Sequence, residues 1–391
     1  MNDFDYLSKN DIYLDAACQS LRPRPVIQAL NNYYEHHNSC GERVKYQWGV
    51  ITDQKVEDTR KKVIKYLKLR AKDYFVSFTL NTTYGINLLL QQLDYKKAGI
   101  HTIVTSDIEH NSPFLSTITA AKAHNLPRQV IIRNDDGSVN LSDLPAHALV
   151  VLNVASNIDG RRLENIKDVI KTVHKTGGLI ILDAAQAMAH SSDILHKTDA
   201  DAICFSAHKM YAPSLGGMVI KKTLLPFIST SFIGGGMVDD VRLDNYDLSA
   251  DNPEHLYTKF ESGLQAWGEI VALGAAIDWL ESLPKSAHQT LDRNVTELYD
   301  FLRSSTKLHL INRQPNPTMS FYVDPHEVGF DSHTLGAALA DEGIMARTGY
   351  FCVHYYLDHV KHYPPLIRFS LGYHIRPEDI KKVIKTLDKI A

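Results

Sequence analysis

Two chemically useful side chains come just after apolar runs that have the pattern of buried strands. Asp183 follows Ile180-Ile181-Leu182, and Lys209 comes three residues after the run 202–206. A lysine amine can form a Schiff base with an aldehyde, and a carboxylate can keep a pyridine nitrogen protonated. The pair therefore indicates the chemistry of pyridoxal 5′-phosphate, although each side chain alone is more often a surface lysine or a capping aspartate.

Polar residues also follow three other apolar runs. Thr82 and Thr83 open a helix-like segment, where backbone N–H groups, hydroxyls and the helix dipole suit a phosphate. His110 is placed where its ring could stack on an aromatic cofactor, and Asn157 where it could donate to a cofactor oxygen or a substrate carboxylate. The structural alternatives are a helix N-cap, a histidine with no chemical role and a turn asparagine.

Three further polar residues, Gln186, Ser206 and His208, lie close in sequence to the aspartate and the lysine. In open α/β sheets, ligands bind beyond the carboxyl ends of the strands. Polar residues that follow five different strands therefore indicate one shared binding site. No Gly-x-Gly-x-x-Gly segment follows a predicted strand and the chain has no Walker sequence, which disfavours a nucleotide as the ligand.

Seven short apolar runs predict the strands that position these residues. Most of them are continuous, as in strands buried on both faces of a largely parallel sheet. Amphipathic segments such as 166–176 lie between them, with apolar residues at helical spacing. This alternation predicts an open α/β sheet with helices on both faces. The predicted strands cover residues 74–80, 102–105, 129–132, 149–154, 178–182, 202–206 and 217–220.

The sequence pattern changes after Trp267. Residues 269–283 predict a long helix, and two more strands and a closing helix follow it. These elements indicate a second, smaller α+β domain. We therefore expect a large cofactor-binding domain over residues 21–267, and a small domain that combines residues 1–20 with 268–391.

Bulk composition excludes several classes of protein. The chain has 391 residues and a formal net charge of -3, with 44% hydrophobic and 22% charged residues, as is typical of globular proteins. It has no basic surplus for nucleic acid, no apolar run long enough to cross a membrane, and no secretory signal pattern at its start. The four cysteines are far apart, so we expect no disulfide framework, no metal and a cytoplasmic location.

Taken together, the site residues resemble those of the class V aminotransferases, fold type I enzymes that use pyridoxal phosphate. The resemblance implies a large domain with a mostly parallel seven-stranded sheet flanked by helices, plus a smaller α+β carboxyl-terminal domain. It extends over nearly the whole chain. The segments that carry it are Tyr13-Leu14-Asp15-Ala16-Ala17, Thr82-Thr83, His110, Asn157, Asp183-x-x-Gln186, Ser206-x-His208-Lys209, Gly234-Gly235-Gly236 and Phe260-Glu261-Ser262-Gly263.

Within that superfamily, the chain is most similar to cysteine desulfurases and selenocysteine lyases. Arg347-Thr348-Gly349-Tyr350-Phe351-Cys352 is similar to their loop with the persulfide cysteine, and Arg368 matches their arginine for the substrate carboxylate. A bidentate guanidinium is physically suited to a carboxylate. The resemblance implies removal of sulfur or selenium from L-cysteine or L-selenocysteine, which yields alanine and a persulfide on Cys352.

The resemblance also implies a role for each site residue. Lys209 would bind the cofactor covalently and move the Cα proton, Asp183 would keep the ring nitrogen protonated, and Gln186 would hydrogen-bond the phenolic oxygen. His110 would stack on the ring and assist proton transfers. Four of the other residues would bind the phosphate: Thr82, Thr83, Ser206 and His208. Three would bind the amino acid: Ala17, Asn157 and Arg368.

Several implications concern partners and alternative reactions. The family resemblance implies a homodimer, a small amino-acid substrate and a sulfur-acceptor protein as a further candidate partner. Transamination, epimerisation and C–S β-elimination stay open, because they require Lys209 and Asp183 but not Cys352. A protein that binds pyridoxal phosphate without turnover is an alternative of a different class, and intact Lys209, His110 and Arg368 disfavour it.

The sequence departs from the family at three places. Gly263-Leu264-Gln265 lacks the threonine that in the family reaches the partner subunit's phosphate, and Gln265 is the candidate substitute. Gly41-Glu42-Arg43-Val44 keeps only the arginine of an interface segment. Val353-His354-Tyr355-Tyr356 replaces a small residue and a proline after the cysteine, and such bulky side chains could reshape the pocket.

Overall fold

A computed structural model gives the fold of the chain. It describes residues 2–41, 44–249 and 255–390, with only the backbone at residues 2 and 390. The strands are β1 (Ile12–Tyr13), β2 (Tyr74–Thr79), β3 (Thr102–Ser106), β4 (Arg128–Ile131), β5 (Ala148–Asn153), β6 (Leu179–Asp183), β7 (Ala202–Ser206), β8 (Gly216–Lys221), β9 (Val238–Arg242), β10 (Asn245–Leu248), β11 (His309–Leu310), β12 (Thr318–Tyr322), β13 (Ile344–Met345), β14 (Arg347–Gly349) and β15 (Leu366–Ser370). The α-helices are α1 (Arg24–His36), α2 (Gln47–Tyr66), α3 (Thr82–Gln92), α4 (Asn111–Ala123), α5 (Ile166–Lys175), α6 (Ala187–His190), α7 (Trp267–Ser282), α8 (Lys285–Ser304), α9 (Pro325–Val328), α10 (Ser332–Asp341) and α11 (Pro377–Ile390).

The largest sheet has seven strands in the order β2-β8-β7-β6-β5-β3-β4. The strands from β7 to β4 in this order pair in parallel, whereas β8 pairs antiparallel with both β2 and β7. The strand β2 therefore runs in the same direction as β7. As a result, the carboxyl ends of β2, β3, β5, β6 and β7 lie at one edge of the sheet, and the loops that follow them converge there.

The two faces of this sheet bury different side chains, because neighbours along a strand point to opposite sides. On one face, Val150 and Ile180 lie in a core with residues of α1, α2, α5 and α7. On the other face, Val151 and Ile181 lie in a core with residues of α3 and α4. Both faces are covered by helices, which explains why these strands are continuous apolar runs.

A four-stranded antiparallel sheet in the order β11-β12-β15-β14 forms a second layered unit. Residues of α8, α10 and α11 build its own core, together with Ile12 and Leu14 of the amino-terminal segment. β1 pairs in parallel with β13, which holds that segment against the second unit. The domain bounds stay a proposal. That division assigns helix α7 to the small domain from residue 268 onward, but most of the buried residues of α7 belong to the core beside the larger sheet.

The predicted fold class is confirmed as an α/β structure with a mostly parallel seven-stranded sheet flanked by helices. All seven predicted strands are present, and their ends differ from the prediction by at most one residue. The hairpin β9–β10 was not predicted, because its mostly exposed side chains carry no pattern of burial. Glu42 and Arg43 belong to the segment 41–44, which keeps only the arginine of the family's interface segment. Both residues lie outside the part of the chain that the structure describes. Within the described ranges, every helix is too short or too polar to cross a membrane.

A buried ion pair joins α2 and β2 to the segment before α7. Arg60 donates to both carboxylate oxygens of Glu261, at 2.7 and 2.6 Å, and Glu261 also accepts from the backbone N–H of Phe78 at 2.6 Å. The guanidinium lies 3.9 Å from the ring centroid of Tyr257. Because a buried charge without its partner is costly, this pair fixes the Phe260–Gly263 segment against the sheet.

We predict that Arg60→Ala destabilises the protein by about 3–5 kcal/mol, because the mutation leaves the Glu261 carboxylate buried and unpaired. Lys62→Ala is the matched control, since its ion pair with Asp278 is largely exposed and should contribute no more than about 1 kcal/mol. Urea unfolding of both variants measures the difference. Equal shifts in the two midpoints would contradict the role given to the Arg60 pair.

Candidate active site

The loops that follow five strands of the large sheet meet at a cavity of about 300 Å³. These loops come after β2, β3, β5, β6 and β7. Every residue that the sequence analysis placed in the site lines this cavity, and so the structure brings all of them together. They are Ala17, Thr82, Thr83, His110, Asn157, Asp183, Gln186, Ser206, His208, Lys209, Cys352 and Arg368.

The amino terminus of α3 forms one end of the cavity. Asn81 caps this helix through its side chain. Ser206 Oγ accepts a hydrogen bond from the backbone N–H of Thr82 at 3.1 Å and lies 2.6 Å from Thr82 Oγ1. Thr83 Oγ1 shares a hydrogen bond with Ser112 Oγ. Hydroxyls and N–H groups at the start of a helix are well suited to bind a phosphate dianion.

Asp183 is buried at the end of β6, and Lys209 is half-buried three residues after the end of the neighbouring strand β7. Asp183 Oδ1 accepts a hydrogen bond from the backbone N–H of Ala185 at 2.9 Å. Burial raises the pKa of Asp183, and the positive charge of Lys209 opposes that shift. Burial also lowers the pKa of Lys209, with Asp183 opposing it. A lower lysine pKa increases the neutral, nucleophilic amine, and a buried carboxylate is stabilised by a cation beside it.

His110 is a helix cap and lines the cavity. Its Nδ1 accepts a hydrogen bond from the backbone N–H of Ser112 at 3.0 Å, which caps α4 and leaves the ring proton on Nε2. Burial lowers the pKa of His110 to about 3, and the nearby cations Lys209, Arg368 and Arg347 lower it further. The ring is therefore neutral at ordinary pH, with a flat apolar face and one N–H donor.

A buried acid that the sequence analysis missed supports the loop before His110. Glu109 accepts from Ser106 Oγ at 2.6 Å and from the backbone N–H of Asn153 at 2.7 Å, and Arg133 lies 3.7 Å away. Burial raises the pKa of Glu109 to about 8, and Arg133 opposes the shift. The one sign of Glu109 in the sequence is a charged residue beside an apolar strand. Its partner Arg133 lies 24 positions further along the chain (133 − 109), so the local sequence does not show the pairing.

Arg368 extends from the second unit to the edge of the large sheet. Its Nη2 donates to Asp15 Oδ1 at 2.8 Å and its Nη1 to the backbone carbonyl of Asn157 at 3.0 Å. The guanidinium lies 4.8 Å from the ring centroid of Phe351. Two buried polar atoms here, Asn157 Oδ1 and Arg368 Nε, have no hydrogen-bond partner among the described residues. Such atoms are rare in folded proteins and indicate a place for a polar ligand.

Cys352 lies on a strained turn beside this pair. Phe351 and Cys352 have φ angles of 47° and 60°, in the left-handed region that side chains with a Cβ rarely adopt. Asn157 Nδ2 donates to the Phe351 carbonyl at 2.8 Å, and the backbone N–H of Asn111 donates to the Cys352 carbonyl at 2.6 Å. The neighbouring side chains of Phe351 and Val353 are buried, so the turn holds the partly exposed Cys352 at the cavity.

The remaining predicted residues have contacts that the sequence did not indicate. Gln186 Nε2 donates to the Ala17 carbonyl at 2.8 Å, which joins the amino-terminal turn to the site. Burial lowers the pKa of His208 to about 4, with Lys209 and Arg22 adding to the shift. Other residues line the cavity without having been predicted for it: Cys18, Asn81, Ser112, Asn153, Ala155, Ala185, Arg347 and Phe351.

The donor set fits pyridoxal 5′-phosphate. The helix start at Thr82 suits its phosphate, Asp183 suits a protonated ring nitrogen, and Lys209 suits the aldehyde carbon. The neutral ring of His110 suits stacking on a flat aromatic ring. The two unpartnered buried atoms at Asn157 and Arg368 leave hydrogen-bonding capacity for an amino-acid substrate.

Comparison with known proteins places these residues in a family context. The sequence model of the family described as Aminotransferase class-V matches residues 12–383. A protein from Vibrio cholerae serotype O1 described as a probable cysteine desulfurase is 27% identical, in an alignment that covers 97% of this chain and 93% of that protein. A probable cysteine desulfurase from Chlamydia muridarum is 29% identical over 97% of this chain and 94% of its own length.

A solved structure shows the same architecture. The apo structure of a cysteine desulfurase from Thermococcus onnurineus NA1 superposes with a TM-score of 0.86 at 25% sequence identity. The superposition covers 97% of this chain and 94% of the other. The similarity therefore includes both layered units and the edge of the sheet at which the cavity lies.

We predict that Lys209→Ala abolishes the visible absorbance of cofactor-loaded protein, because it removes the amine that bonds the aldehyde carbon. Lys171→Ala is the matched control, since Lys171 is exposed on α5 and is not among the residues that line the cavity. Absorption spectra after removal of free cofactor make the measurement. A Lys209→Ala protein with the wild-type spectrum would refute this assignment.

Proposed function

Because the chain belongs to the class V aminotransferase family, we propose that it is a pyridoxal-phosphate-dependent cysteine desulfurase. The substrate is L-cysteine or L-selenocysteine, and the products are L-alanine and a sulfur or selenium atom bound to Cys352. The overall step balances: the C–S bond of the substrate breaks, an S–S bond forms on Cys352, and alanine takes up the protons. When bound, the cofactor withdraws electrons from the substrate Cα.

The position of Cys352 is the observation that carries this proposal. A thiol lies in the same cavity as the half-buried Lys209 and the buried Arg368, on a turn with two successive left-handed residues. Strained backbone persists where surrounding contacts hold it, and it is concentrated at functional sites. Transamination and epimerisation need no thiol at this place, and β-elimination needs none either, so the held thiol favours sulfur transfer over these alternatives.

Arg368 and Asn157 are proposed to orient the substrate. The unpartnered Arg368 Nε gives a charged donor for the substrate carboxylate, and Asn157 Oδ1 gives an acceptor for an N–H or O–H group. Because Asp15 and the Asn157 carbonyl already hold the guanidinium, its orientation is set before the substrate binds. Pre-organised donors reduce the entropy lost when the substrate is positioned.

Lys209 and His110 are proposed to handle protons and the ring. Burial lowers the pKa of Lys209, so its amine is a better proton acceptor for the substrate Cα than a typical surface lysine would be in its charged form. His110 is neutral because its pKa is about 3, and it contributes a stacking face and an Nε2–H donor. Thr82 and Ser206 are proposed to hold the phosphate end.

We predict that Cys352→Ala stops sulfide release from L-cysteine under reductant while the protein keeps its cofactor absorbance. The variant lacks the sulfur nucleophile but retains Lys209 and Asp183, which bind the cofactor. Cys40→Ala, at an exposed cysteine away from the cavity, is the matched control and should keep the wild-type rate. Wild-type protein that forms no alanine from either cysteine or selenocysteine would overturn the proposed function.

We propose further that the protein is a cytoplasmic homodimer and passes its sulfur to an acceptor protein. Exposed apolar side chains on the hairpin β9–β10, and Leu264 in the segment that lacks the family's threonine, support the dimer. Exposed apolar surface often marks an interface. Val241, Leu243 and Leu264 are 66%, 97% and 76% exposed in the single chain. The hairpin follows the Gly234–Gly236 segment, whose Gly235 carbonyl accepts from the N–H of Gly263 at 2.7 Å.

We predict that Leu243→Glu shifts the protein towards monomers, because a charge would be buried at the proposed dimer interface. Leu141→Glu, at an apolar residue 36% exposed elsewhere on the large unit, is the matched control. Sedimentation velocity at several protein concentrations gives the fraction of dimer. If both variants sediment as the wild type does, the hairpin is not part of an interface.

A further inference from the structure

A second cysteine lies in the active-site cavity. Cys18 lines the same cavity as Cys352, although the two are far apart in sequence. It follows β1 on a turn in which the backbone N–H of Cys18 donates to the Asp15 carbonyl at 3.0 Å. Ser370 Oγ accepts from the N–H of Ala17 at 2.8 Å, which holds this turn against β15.

An arginine contacts the sulfur of Cys18. Arg347 Nη1 donates to Cys18 Sγ at 2.7 Å, and the same nitrogen lies 3.9 Å from Asp15 Oδ2. A guanidinium in this position stabilises a negatively charged sulfur. Arg347 begins β14, the strand that leads directly into the turn with Cys352. The residue that holds Cys18 and the turn that holds Cys352 are therefore parts of one short segment.

The other two cysteines have different surroundings. Cys40 is exposed and is not among the cavity residues, whereas Cys204 is fully buried in β7 among apolar side chains. Burial raises the pKa of the Cys204 thiol well above its usual value, so that side chain is a packing residue. Cys18 and Cys352 are both partly exposed, and both line the cavity together with Lys209.

The cavity that Cys18 lines also has free hydrogen-bonding capacity for a ligand. The unpartnered atoms Asn157 Oδ1 and Arg368 Nε border the same cavity and indicate a bound polar ligand there. Arg347, the partner of Cys18, has a side chain 41% exposed, and the neighbouring Gln19 is exposed. Cys18 is thus a partly exposed cavity residue whose arginine partner reaches solvent.

We propose that Cys18 is a second sulfur carrier, which takes the sulfane sulfur from Cys352 and holds it beside Arg347. This inference rests on the proposed desulfurase function. The Cys18 thiolate attacks the outer sulfur of the Cys352 persulfide, an S–S bond forms on Cys18, and the S–S bond on Cys352 breaks. Cys352 leaves as a thiolate. One sulfur atom moves between two cysteines with no net oxidation or reduction, so no further reactant is needed.

The test locates the sulfur on the cofactor-loaded protein. Wild type is mixed with L-cysteine without reductant, quenched with an alkylating reagent at several times, and digested for peptide mass mapping, while alanine is measured in parallel. We expect persulfide first on the Cys352 peptide and then on the Cys18 peptide. In Cys18→Ser the sulfur should stay on Cys352, and in Cys352→Ser neither peptide should carry it. Cys40→Ser, the matched control, should give the wild-type pattern.

A second measurement follows turnover. Sulfide release by Cys18→Ser under reductant should fall on the order of tenfold, because the sulfur must then leave from the held turn at Cys352. Arg347→Met keeps both cysteines and should lower the share of sulfur found on Cys18. A purely structural role for Cys18 would change rates without moving the sulfur between peptides.

Three outcomes would overturn the relay while the conversion of cysteine to alanine persists. They are persulfide confined to Cys352 in the wild type, persulfide on Cys18 in Cys352→Ser, and a Cys18–Cys352 disulfide with release of hydrosulfide. In each of these cases alanine still forms. Absence of alanine together with absence of persulfide on either peptide would instead remove the proposed function itself, and the relay with it.

Discussion

The contacts of one buried guanidinium hold the two layered units together around the site. Arg368 belongs to β15 of the small sheet, yet its partners are Asp15 of the amino-terminal turn and the carbonyl of Asn157 after β5. Its face packs on Phe351, the residue before Cys352. Because a buried charge that loses a partner costs several kcal/mol, these three segments are positioned together. The substrate-binding end of the cavity depends on this arrangement.

Burial also determines the protonation of the cofactor-binding end. The same exclusion of water raises the pKa of Asp183 and lowers those of Lys209 and His110. The lowered pKa values favour an uncharged amine and a neutral imidazole, whereas the raised pKa of Asp183 means that its carboxylate depends on a nearby cation for stabilisation. The covered faces of the parallel sheet produce that burial, since helices pack on both sides and the site lies at the edge where the strands end. Fold and chemistry therefore share one physical cause.

Much of this could be predicted from local patterns. Continuous apolar runs predicted the seven strands to within one residue, and polar residues after five of them predicted the positions around the cavity. Contacts between distant segments could not be predicted in the same way. Glu109 and Arg133, Arg60 and Glu261, and Arg347 and Cys18 are each joined by folding alone. The hairpin β9–β10 was missed because exposed strands have no burial pattern to detect.

The sequence by itself determined the class of fold and the types of residue at the site. Strand burial leaves a periodic signal, and the rule that ligands bind beyond the strand ends turns that signal into a list of residues. Only the tertiary structure decided how those residues pair: that Asp15 holds Arg368, that a strained turn presents Cys352, and that Cys18 lies in the same cavity. Pairing depends on distances between segments hundreds of residues apart, and such distances are set by packing and leave no trace in local sequence.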